Sequence, residues 1–412
     1  MTELSPWLGY AMDWVNLLLR WAHVIVAIAW IGSSFYFVWL DNSLTPPEDP
    51  ALKEKGVGGE LWAVHGGGFY NPQKYLGAPK KLPAHLHWFF WESYSTWLTG
   101  FALFTVLYLF NASTFLIDKN LMDWPPVAAV HAALGFLVGF WLIYDVLCRT
   151  VGRKPGNDGL LGALVFAVVV FASWLACQLF AGRAAFLLIG AMMATTMSAN
   201  VFFWIIPGQR KVVAAMKAGQ PVDPVHGQRG KQRSVHNTYF TMPVLFAMLS
   251  NHYPFVTGAK HNWIVLVLMM LAAALIRQFF VARHKTEVAG KRAPWGWAIA
   301  GVLILLGVAV WVAPAPQAKV EAVAVDTPQA KAAQWAHVQD IVKQRCVLCH
   351  NANLANKGVR LDQPELIVQE AQRVYQQAAV LKTMPLNNAT QITDAERAAL
   401  AQWFQAGGKA AP

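Results

Sequence analysis

The sequence predicts an all-α protein in two parts: a polytopic membrane helix bundle of about eight spans, then a small α-helical domain in water. Three observations predict it. The 412 residues are 56% hydrophobic and only 13% charged, where an average soluble domain has about 25% charged residues. Eight apolar runs are long enough, or nearly so, to cross a bilayer, which takes about 20 residues each. From about residue 334 the chain turns polar and carries the spacing Cys346-x-x-Cys349-His350.

The apolar runs cover 14–40, 84–110, 126–147, 160–180, 184–206, 235–253, 263–282 and 295–313. The sixth is the weakest, with Asn237, Thr238, Asn251 and His252 near its ends. The N-terminus lacks a basic n-region and an A-x-A site, so the first span is expected to act as an uncleaved anchor. Lys and Arg set the orientation. Loops 41–83, 148–159, 207–234 and 283–294 hold 18 of them, whereas residues 1–13 and loops 111–125, 181–183 and 254–262 hold 3. The first set is expected in the cytoplasm of a bacterial cell, which leaves both termini on the periplasmic side of the inner membrane. The formal charge of +11 therefore sits in short loops facing lipid headgroups. It is not a nucleic-acid footprint, and no nucleic-acid partner is expected.

After the eighth span, Pro314-Ala315-Pro316 opens an Ala/Val/Lys/Gln stretch that reads as a flexible tether over 314–333. It separates a membrane domain, 1–313, from a minimal cytochrome c fold over 334–412. There Cys346, Cys349 and His350 form the attachment signature of one covalent haem c, with two thiols for the porphyrin vinyl groups and an imidazole for the iron. Met384, in Lys382-Thr383-Met384-Pro385, is available as the sixth ligand. The bland alternative is a core methionine. Helices are expected over Trp335–Cys349, over about 363–380, and from Thr393, where Thr393-Asp394-Ala395-Glu396 makes a capping box. Haem c is attached on the outer face in bacteria, so the motif and the charge bias independently give one topology. Cys148 and Cys177 lie in or beside apolar runs and read as buried thiols, with no disulfide framework.

Ionisable groups inside spans are costly and default to functional hypotheses. Glu92 falls about nine residues into the second run. His85, seven residues earlier, would share its helix face, and His87 would lie on a neighbouring one. Just upstream, His65-Gly66-Gly67-Gly68 could fold over a site or could simply be a tight turn; no P-loop surrounds it. Thr196, Ser198, Asn200, Asn237, Thr238, Tyr239, Asp145, Arg277 and Gln278 fall in the same half. Asp145 and Arg277 have a plain reading as a structural ion pair. The other half holds Arg20, His23, His131, Asn251 and His252. His23 and His131 could hold a second, non-covalent haem, or could be bundle histidines bonded to neighbours.

Arg20-Trp21-Ala22-His23 through Trp30-Ile31-Gly32, Trp62 to Tyr70, and His85-Leu86-His87-Trp88-Phe89-Phe90-Trp91-Glu92, on eight spans with a tethered C-x-x-C-H domain, together resemble one family. It is the bacterial membrane-bound cytochrome c urate oxidases, or urate hydroxylases, and the similarity covers essentially the whole chain. The resemblance implies oxidation of urate, or a related purine, to 5-hydroxyisourate. Electrons would pass to haem c and then to a soluble cytochrome c or a terminal oxidase. Urate is mostly a monoanion at neutral pH. Arg277, Gln278, Asn200 and Asn237 are candidates to bind it, and Glu92, His87 and His65 to move its protons. The competing class is a membrane-anchored electron-transfer cytochrome with no small-molecule substrate of its own. A third is a permease with an attached redox sensor.

Overall fold

The computed structural model describes residues 6–410, apart from 76, 78, 80–81, 120, 314–326 and 356–357. Each apolar run forms a helix. α1 (Pro6–Ser43) is followed by a loop holding α2 (Pro50–Glu54) and four short strands, β1 (Val57–Glu60), β2 (Ala63–His65), β3 (Gly68–Tyr70) and β4 (Gln73–Tyr75). β1 pairs with β4 and β2 with β3, both antiparallel. Next come α3 (Trp91–Phe104), extended by a π-turn over Thr105–Leu109, and the short α4 (Ala112–Phe115). α5 (Pro126–Thr150), α6 (Asp158–Leu179) and α7 (Gly182–Asn200) follow. α7 passes through a π-turn, Val201–Ile205, into α8 (Ile206–Lys217). α9 (Pro224–Leu249), α10 (Pro254–Thr257), α11 (Asn262–Val288) and α12 (Trp295–Trp311) complete the bundle.

Two spans differ from expectation. The second begins at Trp91 rather than 84. Residues 85–90 alternate between exposed and half-buried, the period of an extended chain and not of a helix. Glu92 is therefore in the first turn of α3, and His85 and His87 precede the helix. The sixth span starts eleven residues early, because Asp223 accepts from the Val225 N–H at 2.9 Å and Pro224 occupies the first turn. Arg233 thereby belongs to a helix instead of a loop. Among the described residues five helices are long and apolar enough to cross a membrane, those within Tyr10–Ser43, Pro126–Arg153, Asp158–Leu179, Gly182–Lys217 and Asn262–Val288. α12 is apolar but shorter, at 17 residues.

α7 is the central helix. Its most apolar window is 61% buried, whereas that of α1 is 0% buried, so α1 lies on the outside of the bundle. A Cβ at Gly190 of α7 would stand 2.7 Å from the Ala247 Cβ of α9. A small residue is needed for that close crossing. α1 and α3 run antiparallel, since Phe37 meets Phe89 at 4.8 Å between ring centres and His23 meets Thr99 at 3.0 Å.

The C-terminal unit has its own core. α13 (Pro328–Arg345), α14 (Pro364–Gln369), α15 (Ala371–Val374) with a π-turn over Tyr375–Val380, and α16 (Asp394–Gln405) enclose Val338, Ile341, Val342, Ile367, Leu400 and Trp403. α13 starts inside the expected tether, capped by Thr327, whose hydroxyl accepts from the Ala330 N–H at 3.2 Å. The rest of the tether, 314–326, lies outside the described residues. The capping box at Thr393 and Glu396 forms as read from the sequence. The unit touches the bundle where α4 ends: the Asn387 amide donates to the Thr114 carbonyl at 2.7 Å.

Candidate functional site

Two polar clusters occupy the end of the bundle at which α1 finishes. The first surrounds Arg277 on α11. It is 5% exposed, and its guanidinium carbon lies 3.8 Å from the centre of the Phe35 ring on α1. Its Nε and one Nη are buried with no hydrogen-bond partner. No carboxylate among the described residues pairs with it. The next residue, Gln278, accepts a hydrogen bond from the Tyr239 hydroxyl of α9, and Tyr239 is within electrostatic reach of Arg277. A buried cation with no counter-charge costs several kcal/mol, and an anion would supply the acceptors that the described residues do not.

Glu92 stands nearby in height. Its side chain is on the face of α3 that carries Thr96, Thr99 and Gly100, the face that meets His23 of α1. Counting down the antiparallel pair from that contact sets Glu92 level with about Trp30 to Ser33. That is within about 8 Å, along the axis, of Phe35 and the guanidinium above it. One carboxylate oxygen of Glu92 is buried and unpartnered. The N-terminal turn of a helix favours a carboxylate there.

The second cluster is closed upon itself. Asp145 of α5 pairs with Arg233 of α9 at 2.8 Å and with Arg149 at 2.8 Å, and not with Arg277. Arg233 also reaches the Asn200 side-chain oxygen at 3.3 Å. Its guanidinium lies over the rings of Trp204 and Tyr144, at 5.0 and 5.1 Å from their centres. Asn200 donates to Asn237 at 3.0 Å and to the Tyr144 hydroxyl at 3.1 Å. Tyr144 in turn meets His236 Nδ1 at 2.7 Å, and Asn237 donates to the Met197 carbonyl at 3.0 Å. Asn200 and Asn237 thus spend their donors and acceptors on neighbours. Their geometry is that of a satisfied helix-packing network.

The remaining candidates are spread out. His87 packs edge-on against Phe89 at 4.6 Å and is exposed. His65 is exposed on β2, and no hydrogen bond or ring contact among the described residues joins it to Glu92. His23 sits in a notch of α3: a Cβ at Gly100 would come within 2.8 Å of its ring. His131 is exposed, with Nδ1 2.8 Å from the Val127 carbonyl of its own helix. The two histidines have different partners.

In the C-terminal unit Cys346 and Cys349 are free thiols. Burial, and then the neighbouring Cys349, push the Cys346 thiol up to about 12. His350 Nδ1 is 3.1 Å from the Val359 carbonyl. That contact orients the ring and leaves Nε2 for a metal. Leu348, Leu354 and Leu381 are 70, 48 and 41% exposed, which offers apolar surface beside both Cys349 and the Met384 loop. The residues present therefore fit a haem. Among the described residues no group of three or more His, Cys, Asp or Glu could hold a metal on side chains alone.

Phe35, Tyr144, Trp204, His236 and Arg233 do not stand out as partners in the sequence. Arg233 was hidden by the late start expected for the sixth span. The aromatic partners were hidden among 19 Trp and 23 Phe, where composition carries no positional signal.

A family model described as urate oxidase N-terminal matches residues 9–313. No curated protein matches the chain, and no solved structure matches it.

Proposed function

The chain belongs to the urate oxidase N-terminal family, and we propose that it is a membrane-bound, cytochrome c-linked urate oxidase. The observation that carries this reading is Arg277, a buried guanidinium with two unbonded nitrogens over the Phe35 ring. A planar purine monoanion matches it. Urate presents coplanar oxygen and nitrogen acceptors to a planar fork of donors, and Gln278 and Tyr239 extend the polar edge.

The reaction joins urate and water to give 5-hydroxyisourate, two protons and two electrons. Glu92 takes a proton as water adds at C5, which requires a carboxylate held near the substrate with a free oxygen. Its buried, unpartnered oxygen supports that role. Cys346, Cys349, His350 and Met384 would hold haem c, which would supply one-electron acceptance on the way to a soluble cytochrome c or a terminal oxidase. In this reading the α1-exit end is cytoplasmic and the C-terminal unit periplasmic. The electrons then cross about 30 Å of hydrocarbon. A further redox centre in the bundle would shorten that path, and His23, about midway along α1, is a candidate to serve one.

The test is anaerobic reduction of the purified holoprotein by urate with no other enzyme present. The haem absorption band should appear on adding urate and should fail to appear with a purine that lacks the anion. A band that responds to dithionite but not to urate would sink the reading and leave a membrane-anchored electron-transfer cytochrome.

A further inference from the structure

The β2–β3 hairpin takes no part in the oxidation chemistry argued above, yet it is among the most exposed apolar surfaces of the protein. Gly66 and Gly67 have φ of +57° and +81°, the conformation that a two-residue hairpin loop demands and glycine adopts freely. The pairs Val64↔Phe69 and His65↔Gly68 follow. Val64 and Phe69 are therefore cross-strand neighbours on one face, and Trp62, two residues before Val64, lies on the same face. Trp62, Val64 and Phe69 are 68, 69 and 77% exposed.

The base of the hairpin is clamped to the end of α1. Thr45 and Glu60 exchange backbone hydrogen bonds at 3.0 and 2.8 Å, Lys74 pairs with Asp41, and Asn71 donates to the Glu60 carboxylate at 2.9 Å. A Cβ at Gly59 would come within 2.9 Å of Leu44, so strand and helix end are in close contact. The root of the hairpin is thus held beside Asp41. Asp41 is the first charged residue after Arg20, and so marks where α1 leaves the hydrocarbon.

Other exposed aromatics gather at this height. Tyr36 and Trp91 are 48 and 64% exposed, and Trp295 and Trp297 at the start of α12 are 59 and 45% exposed. Asn42 donates to the Val281 carbonyl at 3.1 Å, which ties the α1 exit to the end of α11 and hence to the start of α12. Exposed Trp and Tyr collect where a span meets the headgroups. The hairpin continues that belt outward from the bundle.

We propose that the Trp62/Val64/Phe69 face is a membrane-interface anchor, inserted at the headgroup–acyl boundary of the leaflet at the α1-exit end. The belt names lipid as the occupant, because the exposed aromatics Tyr36 and Phe37 of α1 come directly before the Asp41 and Thr45 clamp that roots the hairpin. A rigid apolar face of this kind left in water would promote association.

The experiment uses the full-length holoprotein carrying Phe69→Cys, labelled with an environment-sensitive fluorophore, in phosphatidylcholine/phosphatidylglycerol nanodiscs doped with nitroxide lipids. The label should shift to the blue. It should be quenched at least about twofold more than the same label at Gln220→Cys in the α8–α9 loop. Val64→Cys is the second label site, should Phe69→Cys disturb the hairpin. Quenching no greater than at Gln220 overturns the proposal. In that event, protection of the label by urate alone would make the hairpin a lid, and disulfide-linked dimers through Phe69→Cys would make it a surface between copies.

Discussion

Arg277 and Phe35 form a cation–aromatic pair: a guanidinium carbon 3.8 Å from an aromatic centre, with two nitrogens of the cation unbonded. The aromatic face offsets part of the cost of burying the charge but supplies no acceptor. An anion would supply the missing acceptors.

Arg277→Gln should therefore raise the KM for urate by roughly 10- to 100-fold, the equivalent of losing about 1.5–3 kcal/mol of charged hydrogen bonding. Haem content and reduction by dithionite should stay normal. Arg277→Lys should recover only part, because a point charge does not reproduce the planar fork. An unchanged KM in Arg277→Gln would remove Arg277 from the binding site.

Glu92→Gln keeps the size of the side chain and cannot accept the proton. Urate-driven haem reduction should fall by about 10²-fold or more, while the variant inserts and carries haem normally. If Glu92 instead serves packing, the yield or melting temperature drops and the surviving protein turns over at the normal rate.

Asp145→Asn should destabilise the bundle without touching urate affinity. It leaves Arg233, 2% exposed, without its counter-charge, and breaking one side of a buried pair costs about 3–5 kcal/mol. The melting temperature in detergent should fall clearly. The double change Asp145→Leu with Arg233→Met should recover much of the loss. Equal losses in the single and double variants would contradict the pairing.

The C-terminal unit should weaken in acid through Glu396. Burial opposes its ionisation, but the Thr393 N–H and the Arg345 guanidinium hold its carboxyl below the usual range. Arg345 donates to it at 2.9 Å. A depressed native pKa contributes stability that is complete above the unfolded value of about 4.3. That contribution is lost as pH falls through the lower native value. Unfolding of the unit followed by circular dichroism should show this loss as the pH falls below the unfolded value of about 4.3. Glu396→Gln should flatten it, and an unchanged acid profile in that variant would assign the dependence elsewhere.

Haem attachment gives a separate check. Cys349→Ala should abolish normal haem stain on the denatured polypeptide. Met384→Ala should keep the stain and shift the midpoint potential. An unshifted potential would exclude Met384 as a ligand.

The sequence by itself determined the eight helices, the capping box at Thr393, the Cys346/Cys349/His350 spacing and the shortlist that holds Glu92 and Arg277. Each is a local property: run length, spacing along the chain, or the cost of one charge in hydrocarbon. Only the tertiary structure decided which charges are neutralised. Asp145 and Arg277 read equally well as each other's partner, and packing gave Asp145 to Arg233, 88 residues away, leaving Arg277 over Phe35. The start of α3 was also out of reach. A run of His, Leu, Trp and Phe satisfies helical and extended periods alike, and contacts such as Phe37 with Phe89 choose between them. Side-chain partnership across helices depends on axial register and on which face turns inward, and no single helix carries that information in its own sequence.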